Sequence, residues 1–206
     1  MRKLTCHCEQ VFNVDLPEIV NLDTDKAIIK QIADGSFLTC VCPTCETVLH
    51  TDLQTRLEWP SKKTTLTLIP EIDRINFLSG MIPTEKDTEI LIGFAELADR
   101  VAVLEADLSP LAIESLKYHL AIKARKSGTD IKPVIYFEKR TDNNELEFHI
   151  HGLKKDEVAI TRVPLQVYET IYQDTLKDPE NELFTSLRNG AYLSVQNILI
   201  EDIEHD

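Results

Sequence analysis

Apolar and polar residues recur along this chain in short runs that switch between strand and helix spacing. Residues 11–14, Val-Phe-Asn-Val, read as a brief strand of β-branched and aromatic character. Residues 25–34 place Ile28, Ile29 and Ile32 on one helical face. There Asp25 is expected to cap the first-turn N–H groups, and Gly35 is expected to end the helix. Residues 37–39 and 47–51 have extended character, and residues 64–69 alternate Thr and Leu up to Pro70, predicting a half-buried strand. Within 71–92, Ser79-Gly80 and Pro83 are turn signals and residues 84–88 are polar, so a boundary or crossing segment is expected there. Phe94, Leu97, Val101 and Leu104 then recur at helical spacing within 93–107, although 100–104 also reads as a strand.

Ser109-Pro110 opens a second helix expected to reach residue 126 and to close at Gly128. Residues 133–140 and 145–151 form a predicted hairpin about Asp142-Asn143-Asn144, followed by a third strand at 157–163. Pro164 starts a helix to about residue 177, residues 183–188 suit a short helix, and 192–200 a last strand or irregular segment. Local helices mixed with hairpin strands predict an α+β fold. Two parts are expected: a zinc-ribbon-like β module with an inserted helix at 1–70, and a mixed, acidic α+β domain at 71–206.

The cysteines change this picture most. All five lie in the first 45 residues, as Cys6-His7-Cys8 and Cys40-Val41-Cys42-Pro43-Thr44-Cys45. Two thiolate groups on either side of an intervening segment are how a chain builds a tetrahedral soft-metal site, and Zn²⁺ is the metal this pattern implies. The expected ligands are Cys6, Cys8, Cys42 and Cys45, with Cys40 or His7 as alternatives for one member. Cys8 and Cys42 enclose 33 residues, more than the usual ~15–20 between knuckles; an inserted helix accounts for the excess. A thioredoxin-type role for Cys42-Pro43-Thr44-Cys45 needs a helix after Cys45, and turn and strand residues follow instead.

These residues resemble the CpXC family of uncharacterised bacterial proteins. The likeness is carried by the early Cys6 and Cys8, the strand at 11–14, the helix closed by Gly35, the Cys42-Pro43-Thr44-Cys45 signature, Leu68-Ile69-Pro70, and the acidic-apolar stretch at 96–117. The resemblance implies a four-cysteine zinc-binding module joined to an α+β remainder, with no activity to transfer. Cys40 is an extra thiol relative to that pattern, and Glu46 stands where glycine is frequent after the last cysteine.

Charge narrows the function classes. The net charge is −13, divided as −2 over residues 1–70 and −11 over 71–206. A polyanion would meet repulsion from the second part and no basic stripe on the first, so nucleic acid is not the expected partner. The start of the chain lacks the apolar core of a secretory signal, and no apolar run has the length of a membrane span. Clustered thiols in odd number suit a reducing compartment, so a cytoplasmic protein is expected.

Glu147, His149 and His151 alternate on the predicted hairpin opposite Leu146, Phe148 and Ile150. An open metal site is one reading; the solvent face of a half-buried strand is the expected one. With no phosphate loop and no nucleophile elbow, the chain is expected to be a non-enzymatic protein with a structural zinc site that binds or assembles with a protein partner. The alternatives are an enzyme with its site in 71–206, and a thiol oxidoreductase using Cys42 and Cys45.

Overall fold

The computed structural model describes residues 1–84, 87–125 and 133–201. It is α+β throughout and divides into two units, Met1–Ala98 and Asp99–Asp206.

In the first unit β1 (Arg2–Thr5) and β2 (Val11–Val14) form an antiparallel hairpin with Thr5 opposite Val11. The short strand β3 (Ile19–Asn21) leads to α1 (Lys26–Ala33). This helix starts differently from the sequence expectation, since Asp25 occupies the cap position but its side chain makes no capping bond. The turn is organised upstream instead: Asn21 Oδ1 accepts the N–H groups of Asp23 (3.0 Å) and Thr24 (3.3 Å). The Asp23 carboxylate accepts from the Ser61 N–H at 2.8 Å and the Ser61 hydroxyl at 2.6 Å. These bonds hold the Asp23 carboxyl below its usual value, the hydroxyl being the larger cause. Gly35 ends α1 at φ 78°, a left-handed conformation that glycine adopts without a Cβ penalty. Ile32 is buried, while Ile28 and Ile29 are half-buried.

A second hairpin joins β4 (Thr39–Val41) to β5 (Val48–His50). Next come β6 (Thr55–Trp59), β7 (Thr64–Ile69), the short helix α2 (Arg74–Leu78) and β8 (Glu89–Ile92). The sheet runs in the order β8-β7-β6-β3, with β6 antiparallel to β7 and the other two pairings parallel. Its core includes Leu57, Leu66, Leu68 and Leu91, each at most 1% exposed.

The division between units falls inside α3 (Gly93–Glu105), so the spacing of Phe94, Leu97, Val101 and Leu104 resolves as helix over its whole length. The second unit continues with α4 (Pro110–Arg125), whose Pro110 stands at the first helical position, where its missing N–H leaves no bond unmade. The expected end of this helix at residues 126–128 lies outside the described residues. Strands β9 (Val134–Arg140), β10 (Glu145–Lys154) and β11 (Glu157–Pro164) make an antiparallel sheet in the order β11-β10-β9. Asn144, at φ 57°, turns the first hairpin as its residue type suggests. One face of this sheet carries Ile135, Phe137, Leu146 and Phe148 into a core shared with Ile113 and Leu116 of α4.

The chain then forms α5 (Leu165–Lys177), α6 (Glu182–Ser186), the two-residue strands β12 (Arg188–Asn189) and β13 (Tyr192–Leu193), and α7 (Gln196–Glu201). Residues 192–200 are therefore strand only at the start and helical afterwards. Ser194 Oγ accepts the Gln196 N–H at 3.2 Å and opens that helix. Among the described residues no helix is long and apolar enough to cross a membrane.

Candidate metal centre

Each cysteine pair sits in the turn of a hairpin. In the β1–β2 turn the Cys6 N–H donates to Gln10 O and the Glu9 N–H to Cys6 O, both at 2.9 Å. In the β4–β5 turn the Cys42 N–H donates to Thr47 O (2.9 Å) and the Glu46 N–H to Cys42 O (3.0 Å). The two turns are the same device with one residue's difference in length, which is why Cys-x-Cys and Cys-x-x-Cys serve equivalent roles here. In each, the residue after the second cysteine takes a left-handed conformation, Glu9 at φ 66° and Glu46 at φ 59°.

The turns bring Cys6, Cys8, Cys42 and Cys45 together, with all four sulfurs within 4.8 Å of one another. Across the two turns, Cys6 Sγ lies 3.5 Å from Cys45 Sγ and Cys8 Sγ 3.7 Å from Cys42 Sγ. With Zn–S bonds of about 2.3 Å, the edge of a tetrahedral sulfur cage is roughly 3.8 Å, so the donor set and its spacing fit one four-coordinate metal ion. No two of these cysteines are joined as a disulfide. Four cysteines thus stand close enough to hold a metal ion. Cys40, half-buried on β4, and the exposed His7 are outside the group.

Backbone amides face the sulfurs. The N–H groups of Cys8, Gln10 and Thr47 bond the sulfurs of Cys6, Cys8 and Cys45 respectively. Such N–H···S bonds favour the thiolate form and spread the negative charge of a thiolate cage. The Thr47 hydroxyl, 3.3 Å from Cys45 Sγ, and the Thr47 N–H lower the Cys45 thiol to about 6. Cys6 goes the other way: the Cys8 N–H favours its thiolate, but burial and the neighbouring thiols outweigh that and push it up to about 12. Cys6 and Cys42 are buried, and Cys8 and Cys45 are exposed. After Cys45 the chain enters β5, not a helix.

Glu147, His149 and His151 do share one face of β10, opposite the buried Leu146, Phe148 and Ile150. They do not gather into a ligand set among the described residues. Glu147 is buried and accepts from Arg162 Nε at 2.9 Å, a bond that lowers its carboxyl below the usual range. The two ring nitrogens of His149 face different carboxylates, Glu138 at 3.6 Å and Glu147 at 3.7 Å, while His151 stands edge-on to Tyr136.

Sequence reasoning missed a buried charge cluster in the second unit. Lys117 Nζ lies 2.6 Å from Asp99 Oδ2 and 2.7 Å from Glu114 Oε1. Arg100 Nη2 lies 3.4 Å from Glu114 Oε1 and donates to Leu193 O at 3.0 Å, and Glu114 Oε2 accepts the Val195 N–H at 2.8 Å. Asp99 also accepts the Phe137 N–H. All four charged side chains are 5% exposed or less. The cluster ties α3 and α4 to β9 and to the segment around β13. Asp99 and Glu114 each take Lys117 together with a backbone N–H, of Phe137 and Val195, which marks the cluster as a structural tie.

An α+β protein with four cysteines converging from two hairpin turns is the class defined by this fold and site. The CpXC protein family model matches residues 4–117, and the chain belongs to that family. A curated protein of Treponema pallidum (strain Nichols), described as an uncharacterized protein, is 32% identical over 220 aligned residues, covering 98% of this chain and all of the relative. No solved structure matches.

Proposed function

We propose that Cys6, Cys8, Cys42 and Cys45 hold one structural Zn²⁺, and that the protein serves in the cytoplasm as a non-enzymatic binding or assembly component for a protein partner. The observation that carries the metal reading is the convergence of four sulfurs within 4.8 Å. Four thiolates complete the coordination of zinc, leaving no position for water or substrate, which is the arrangement of structural sites. The same cage suits iron; zinc is preferred because no electron-transfer partner is needed to explain it. The partner reading is supported by Ile72, in the 3-10 turn Glu71–Asp73 just before α2, and Ile75, in the first turn of α2, which are 87% and 75% exposed. Side chains of this size so fully in water mark interaction surfaces when they occur together.

Metal analysis of protein purified without added zinc tests the site. About one equivalent of zinc in a colourless protein is expected, falling sharply in any single Cys→Ser variant of the four. Less than about half an equivalent, with folding indifferent to a chelator, would overturn the reading. A photocrosslinker at position 75 tests the partner. A discrete protein adduct in cells is expected, and no more adduct than from the exposed position 180 would count against it.

A further inference from the structure

The four sulfurs of the site are equivalent as ligands but not in exposure. Cys6 and Cys42 are buried, while Cys8 and Cys45 are exposed. The close contacts run across the two turns, Cys6 Sγ to Cys45 Sγ at 3.5 Å and Cys8 Sγ to Cys42 Sγ at 3.7 Å. Each cross-turn pair therefore joins one exposed sulfur to one buried sulfur, and the two pairs share no member.

We propose that hydroperoxides convert this site from a four-thiolate cage into two disulfides, Cys6–Cys45 and Cys8–Cys42, so that Zn²⁺ is released while the fold is kept. The proposal rests on the metal reading above and adds its regulation. The exposed thiolate of a pair, Cys45 or Cys8, attacks a peroxide oxygen. The O–O bond breaks, the sulfur becomes a sulfenic acid, and hydroxide leaves. The buried partner, Cys6 or Cys42, then attacks that sulfur, forming the S–S bond and releasing a second hydroxide. Two thiolates lose two electrons and one hydrogen peroxide gains them, so two peroxides consume all four ligands. Thiolates hold the metal and disulfides do not.

Geometry selects these pairs. A disulfide is about 2.05 Å long, so each cross-turn pair closes by roughly 1.5 Å, shared between two side chains. Pairing within the turns is the alternative. It links Cys42 to Cys45 but leaves Cys6 with Cys8, separated only by His7, and a disulfide closing so small a ring is strained. Cross-turn pairing also has a structural consequence. Both bonds tie the β1–β2 turn to the β4–β5 turn, as the shared metal does, so the constraint on the module is replaced and not lost. Cys40, half-buried and outside the group, stays a thiol. A thiol reductant reverses both bonds. Zinc occupancy is thereby coupled to peroxide without unfolding.

The test measures zinc in the full chain as purified, adds hydrogen peroxide in small excess, and follows release with a chromophoric chelator. About one equivalent of zinc is expected per two disulfides formed, with the circular dichroism spectrum retained. Alkylation and tryptic digestion should then yield residues 4–26 linked to residues 31–56, with the label on Cys40 alone. Fragmentation of the linked peptides should place the bonds at Cys6–Cys45 and Cys8–Cys42. Dithiothreitol with zinc should restore the loaded protein, and Cys40→Ser should change none of these results. Zinc retained under peroxide, a Cys42–Cys45 link, sulfinic acid in place of disulfide, or loss of the circular dichroism spectrum on oxidation overturns the proposal alone. Protein that carries no zinc before peroxide is added overturns the metal reading together with it.

Discussion

Glu9 and Glu46 hold the same backbone post in the two cysteine turns. Each follows the second cysteine of its pair, at φ 66° and φ 59°. Each donates its N–H back to the carbonyl of the first cysteine, Cys6 and Cys42. Non-glycine residues hold this conformation at a cost of roughly 1 kcal/mol. Glu9→Gly and Glu46→Gly are therefore expected to be neutral to stabilising, by up to about 0.5 kcal/mol each, once glycine's extra unfolded-state freedom is set against the relieved strain. Glu46→Val should destabilise by about 1–2 kcal/mol, because a β-branched side chain crowds the same conformation more severely. Chemical denaturation of the metal-loaded variants checks all three.

The same turns set thiol reactivity when metal is absent. Cys45 is exposed and its thiol is lowered to about 6 by the Thr47 hydroxyl and N–H, so it is thiolate at neutral pH. Cys6 is buried and raised to about 12. In chelated protein, Cys45 should be alkylated first, with a rate that climbs through pH 6 and then levels, and Cys6 last. Thr47→Val removes the hydroxyl and should move the Cys45 midpoint upward. Mass spectrometry of partially alkylated peptides across pH gives both the order and the midpoint.

The cysteine site was legible because its signal is local. Two short cysteine pairs and the helix between them are adjacent in sequence, and a positive-φ residue after each pair follows from turn geometry. Strands β2 and β7 were legible for the same reason, through β-branched residues or strict alternation. The strands β1, β3, β6 and β8 were not legible. In β6, Thr55, Leu57 and Trp59 are buried and alternate with Arg56 and Glu58, but a threonine at the first inward position conceals the period. Its burial is made tolerable by a bond from Thr55 Oγ1 to Leu53 O at 2.8 Å, a contact sequence does not reveal. The buried charges were least visible. Glu114 and Lys117 on α4, one turn apart, look like an ordinary solvated pair; only the arrival of Asp99 and of the chain at Val195 encloses them.

Gly93 opens α3 at φ 76°, and a Cβ there would come within 2.6 Å of Glu71 Oε2. Glu71 is not free to swing away. It is held by Arg74 through two bonds of 2.6 and 2.8 Å, and Arg74 also reaches Glu96 and Ile92 O. Gly93→Ala should cost about 1–3 kcal/mol, part from backbone strain and part from the displaced carboxylate. Combining it with Glu71→Ala separates the two. The double variant should be more stable than the sum of the single effects predicts, because the clash is removed while the strain persists. Strict additivity would show that the clash contributes nothing.

Lys117 is the cation on which two buried carboxylates depend, and its removal should change how stability responds to pH. In the native protein burial opposes ionisation of Glu114, but Lys117, Arg100 and the Val195 N–H outweigh it and hold its carboxyl below the ordinary value. A depressed carboxyl contributes stability that is full above its unfolded value, about 4.3, and is lost as pH falls through the lower folded value. Native stability from this group should therefore decline only in acid, below about pH 4. Lys117→Met keeps the volume but leaves Asp99 and Glu114 close to neutralisation by Arg100 alone. It should cost about 3–5 kcal/mol at pH 7, the scale for breaking a buried ion pair. In that variant burial raises Glu114 as well as Asp99, whose carboxyl burial already holds above its ordinary value in the native protein; the folded state then takes up protons before the unfolded state does, and stability should rise as pH falls from 7 toward 5. Urea denaturation of native and Lys117→Met protein at pH 5, 6 and 7 reads the sign directly. A variant whose loss is the same at all three values would show that Lys117 acts through packing and not through its charge.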